Sequence, residues 1–65
     1  MRRSFKLTRQ INAQERVALQ RGIETCGPTF GINWPASDCV EVELCERAYV
    51  QSLVIAAWLK VEGIY

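Results

Sequence analysis

The 65-residue sequence has no histidine, only four glycines and two prolines, and no long apolar run. The first absence removes the commonest general base and the side chain that most often titrates near neutral pH. Scarce glycine and proline, beside 49% hydrophobic residues, exclude a disordered or low-complexity chain. A membrane-spanning helix needs about 20 predominantly apolar residues. The most apolar stretch here, Val50 to Leu59, contains Gln51 and Ser52 and is followed by Lys60 and Glu62. The basic start MRRSFKLTRQ has no apolar segment after it, unlike a secretory signal. The segment GPTFG lacks the lysine and the Ser/Thr of a phosphate-binding loop. These absences lead us to expect no catalytic residue, no cofactor, no small-molecule substrate and no membrane insertion, with the cytoplasm as compartment.

There are three cysteines, Cys26, Cys39 and Cys45, and no C-x-x-C pair. An odd number leaves at least one thiol unpaired in a single chain. Cys39 and Cys45 are about 9 Å apart along a helix and on different sides of it. On a strand they are about 20 Å apart. A disulfide needs Cα atoms within about 7 Å, so only Cys26 with one of the other two stays open. Without histidine, a zinc site would need a carboxylate as its fourth ligand, and no metal is expected. The expected state is three reduced thiols packing as small apolar groups.

The charge is nearly balanced overall, at +1, but unevenly placed. Through residue 22 there are six basic residues (Arg2, Arg3, Lys6, Arg9, Arg16 and Arg21) against one acidic residue, Glu15. From residue 23 on, Arg47 and Lys60 stand against Glu24, Asp38, Glu41, Glu43, Glu46 and Glu62. A basic end and an acidic remainder either attract each other or offer the basic end to an anionic partner.

Sixty-five residues make one small domain, 1–65, of marginal stability on its own. RSFKLTR alternates, with Phe5 and Leu7 on one side and Ser4, Lys6 and Thr8 on the other, which predicts a short strand. NAQERVALQRGIETCG predicts a helix. Asn12 is a good N-cap, Glu15 three residues later completes a capping box, and Gly27-Pro28 stops it. Leu19, Ile23 and Cys26 form its modest apolar stripe, and Gly22 lies inside it. GPTFGINWPAS is expected as a loop, and its Phe30, Ile32 and Trp34 either fold back on the core or form a binding knob.

SDCVEVELCERAYV has two readings. As a strand, Val40, Val42 and Leu44 alternate with Glu41 and Glu43. As a helix, Asp38 caps it, Glu41 falls at N3 near the positive end of the dipole, and Glu43 pairs with Arg47. The helix is the preferred reading, continuing from near Cys39 to near Val61 over about 34 Å. The predicted architecture is therefore mainly α with a short N-terminal strand, β-α-loop-α. The alternative is α+β with residues 39–45 as a second strand.

From Tyr49 to Val61 no broad polar side survives on a helical wheel. A helix apolar all round needs cover all round, and a short helix, a strand and a loop can hardly supply it. The expectation is an obligate oligomer: a homodimer or a complex with a protein partner. Candidate contacts are Arg2, Arg3, Lys6 and Arg9 at the basic end, Phe30 and Trp34 in the loop, and Tyr49 and Trp58 on the second helix.

The order strand, helix, loop, helix and the segment RRSFKLTR resemble the ribbon-helix-helix DNA-binding proteins over about the first 27 residues. In that family the strand pairs with its dimer mate and the two-stranded ribbon enters the major groove. The resemblance implies Ser4, Lys6 and Thr8 at base edges and Arg2, Arg3 and Arg9 at phosphates. Two departures stand against it: the family's interhelix turn is short, and here acidic residues flank the second helix. The leading expectation is a small non-enzymatic regulatory or inhibitor-like module that docks on a protein or on itself, and the alternative is a DNA-binding regulator.

Overall fold

A computed structural model describes residues 1–65 as five elements: β1 (Arg2–Lys6), α1 (Ala13–Thr25), β2 (Gly31–Ala36), β3 (Cys39–Glu43) and α2 (Tyr49–Val61). The strands form one antiparallel sheet in the order β1-β3-β2. This corrects the β-α-loop-α expectation in two places.

Residues 39–43 are the central strand rather than the start of a long helix. On a helix, Val40 and Val42 would point some 200° apart. On a strand they share one side, where both are fully buried, and Leu44 beyond the strand is buried too. In the register, Phe5 lies opposite Val40 and Arg3 opposite Val42 on one edge, and Ile32 lies opposite Val42 on the other. A central position buries more of each valine than one helix face could.

The expected loop contains β2. Its proline tolerates strand structure because β2 is an edge strand, with a register irregularity between Asn33 and Ala36 that accommodates Pro35. The ribbon-helix-helix arrangement fails at the same level: β1 pairs with β3 of its own chain, along Arg2↔Glu43 to Lys6↔Cys39.

Helix α1 begins as its sequence dictates. The Glu15 N–H donates to Asn12 Oδ1 at 2.8 Å, and Asn12 N–H donates to Glu15 Oε1 at 3.2 Å, closing the capping box. Only Ile23 of this helix is fully buried. Gly22 lets α2 come close: a Cβ there would lie 2.2 Å from Cη2 and Cζ2 of Trp58. Helix α2 has no side-chain cap at its start. Its end is closed by Gly63 at φ +78°, with Gly63 N–H donating to Lys60 O and Ile64 N–H to Leu59 O.

One core of eleven residues joins all these parts: Phe5, Leu7, Ile11, Ile23, Val40, Val42, Leu44, Ala48, Ile55, Leu59 and Ile64. Both helices contribute to it, and it covers the inner face of the sheet. Only Ser52 is polar and buried, and its hydroxyl donates to Tyr49 O at 2.6 Å. The C-terminal tail closes the end: Thr8 N–H donates to Ile64 O, and the Tyr65 ring meets Phe5 edge-on at 5.5 Å. The three-stranded sheet thus covers one side of α2, and the core closes within a single chain.

Candidate functional site on the second helix

The expected contact residues do not converge. Arg2, Ser4 and Lys6 project from the solvated outer face of the sheet. Arg2 Nε lies 3.2 Å from Glu43 and 3.6 Å from Glu41. Lys6 Nζ lies 2.8 Å from Asp38. Hydrogen bonding with Lys6, then its charge, holds the Asp38 carboxyl below its usual range, and the same contact raises Lys6. Arg9 reaches Glu15 at 2.6 Å, which lowers the Glu15 pKa together with the Asn12 backbone N–H. Arg2 and Lys6 are therefore paired with the acidic remainder, whereas Arg9 is paired with Glu15 inside the basic end itself. Arg3 is exposed, and Thr8 donates to Gly63 O at 3.4 Å.

The aromatic candidates separate as well. Trp58 fills the space above Gly22 and packs on the core. Trp34 is half-buried beneath the Arg16 guanidinium, 5.3 Å from its ring centroid. Phe30 stands 77% exposed just ahead of β2. Tyr49 opens α2 and is 63% exposed.

Tyr49 belongs to a wider exposed surface along α2. At 100° per residue, the buried side of α2 is centred on Ala48, Ser52, Ile55 and Leu59. Gln51 and Trp58 flank it toward α1, and the Gln51 amide donates to Pro28 O at 2.8 Å. The opposite arc, about 140° wide, carries Tyr49, Leu53, Val50, Val54, Ala57 and Val61, with Lys60 its one charge. Val50 is 69% exposed, Leu53 48%, Val54 46% and Val61 84%. This is as broad as the stripe a helix normally turns to its core. The signal was in the sequence, in the lack of a polar side from Tyr49 to Val61. Which residues would be left outside was not.

A shallow groove of about 190 Å³ lies between α1 and the C-terminal tail, lined by Arg9, Glu15, Ala18, Leu19, Glu62 and Ile64. It is smaller than typical ligand sites of about 300–1,000 Å³, and the Arg9–Glu15 pair occupies its polar side. No three metal-ligating side chains cluster, all three cysteines are unpaired, and burial raises the Cys26 thiol pKa. No helix is long and apolar enough to cross a membrane. Comparison with family models, curated proteins and solved structures finds no match for this chain.

Proposed function

We propose that this chain is a small non-catalytic module, cytoplasmic in keeping with its unpaired thiols, that works by docking α2 on a protein surface. The observation that carries this reading is the solvent-facing apolar arc Tyr49–Val50–Leu53–Val54–Ala57–Val61. Such patches mark contact sites when they are contiguous rather than scattered. The arc is not a gap left by incomplete folding. The accessible surface is 4229 Å² for a 7.4 kDa chain, against about 4,200 Å² for a compact monomer of that mass.

Nucleic-acid docking through β1 has less support. Arg2, Lys6 and Arg9 already carry carboxylate partners, and phosphates would have to displace them.

Capture from the native host tests the proposal. Immobilised chain is expected to retain protein, untagged copies of itself included, after nuclease treatment. Leu53→Glu should lose that material, while Arg2→Ala and Arg3→Ala keep it. Retention of nucleic acid alone, or retention indifferent to Leu53→Glu, would overturn the proposal.

A further inference from the structure

We infer that the occupant of the α2 arc is a second copy of the chain, with the two α2 helices antiparallel about a two-fold axis near Ile55. This inference rests on the docking proposal and goes further by identifying the partner. It comes from the arrangement of the exposed residues along the helix and from where the arc's one charge falls.

Counted from Ile55, Tyr49 and Val61 lie six residues away in opposite directions, Val50 and Lys60 five, and Leu53 and Ala57 two. The exposed set is therefore nearly unchanged when the helix is reversed end for end. A two-fold axis between antiparallel helices keeps each flank of the arc against the same flank of its mate. Tyr49, Leu53 and Lys60 lie on one flank, and Val50, Val54 and Val61 on the other.

On the second flank, Val50 then meets Val61 of the partner subunit, and Val54 meets its own counterpart near the axis. Leu53 packs over Ala57 of the partner subunit, whose single methyl leaves room for it. On the first flank, Tyr49 faces Lys60 of the partner subunit, a cation over an aromatic face. Lys60 already shows that preference within the chain, 5.9 Å from the Tyr65 ring.

The charges agree with this pairing. The arc has no acidic residue, and its two lysines would lie about 15 Å apart along the axis, beyond the screening length of about 8 Å at physiological salt. Each uncapped α2 N-terminus would also lie alongside the C-terminal end of its mate, so the helix dipoles oppose. A parallel pairing would instead bring both Lys60 side chains to the same level. The contact is about 20 Å long and belongs at the small end of specific interfaces, so it should be weak and concentration-dependent.

The test is sedimentation equilibrium of the purified chain up to about 1 mM, the concentration at which a millimolar Kd is half-saturated. The mass is expected to rise from 7.4 kDa toward twice that value. Leu53→Glu and Val50→Glu, both at exposed positions, should stay at the lower mass with unchanged circular dichroism. Two such variants guard against one that fails to fold.

Geometry is tested in a Cys45→Ser background by oxidative cross-linking. A mixture of Val50→Cys and Val61→Cys chains should link across the pair. Neither alone should, since like residues would lie about 15 and 18 Å apart. Linking by each variant alone would overturn the antiparallel pairing. A wild-type chain that stays at 7.4 kDa would overturn the second copy as occupant. If Leu53→Glu still abolishes capture of another protein, the docking proposal outlives this inference. If it abolishes nothing, both fall.

Discussion

Replacing Gly22 by alanine sets two opposed effects against each other, and the structure decides between them. Alanine is favoured over glycine inside a helix by about 1 kcal/mol, so an exposed Gly22 would make the change stabilising. Gly22 is not free. The added Cβ would stand 2.2 Å from two atoms of the Trp58 ring and 3.0 Å from a third. Ordinary contact begins near 3.4 Å, so the ring or the helix must move by more than an ångström. Trp58 packs against the core, so moving it disturbs the contact between α1 and α2. Overpacking of this kind costs about 1–3 kcal/mol, which exceeds the propensity gain over most of that range. The expected outcome is a net loss of about 1 kcal/mol, or roughly 4–8 °C in Tm for a domain of this size.

Urea unfolding followed by circular dichroism measures the change, at one protein concentration so that self-association does not contribute. The decisive control is the same substitution with Trp58→Leu. The three ring atoms nearest the new Cβ are then absent, and Gly22→Ala should become stabilising. Stabilisation by Gly22→Ala in the wild-type chain would refute the close helix contact. So would equal effects in both backgrounds.

Acid should weaken the fold through Glu15 and Asp38, whose folded pKa values lie below their usual 4.5 and 3.8. Groups lowered on folding contribute stability above the unfolded value, and that contribution is lost as pH falls through the folded one. Stability should therefore decline below about pH 4.5, and Glu15→Gln should flatten the decline; a profile unchanged in that variant would show that the Arg9 clamp contributes nothing. Denatured protein should yield three titratable thiols. In the native state Cys45, which is exposed, should react first, and Cys26, half-buried with its pKa raised, should react slowly; the reverse order would contradict the placement of these side chains.

Local interactions were legible in the sequence. Asn12 and Glu15 cap α1 through groups three residues apart, so no distant partner is needed to read them. The alternation that buries Phe5 and Leu7 is equally local, and a buried position for each follows from period two alone. The tertiary structure decided what depends on neighbours far along the chain. Val40 and Val42 suit a strand only because Phe5 and Ile32 arrive on either side of β3. Gly31–Ala36 can be a strand despite Pro35 only because it lies at the sheet's edge. The second helix shows the limit most clearly. A helix apolar on every side carries no periodic signal for which side turns inward. Packing on the sheet and on Gly22 chose Ile55 and Leu59 for the core and left Tyr49, Val50, Leu53 and Val61 facing solvent, because a three-stranded sheet and one short helix can cover only one side of it.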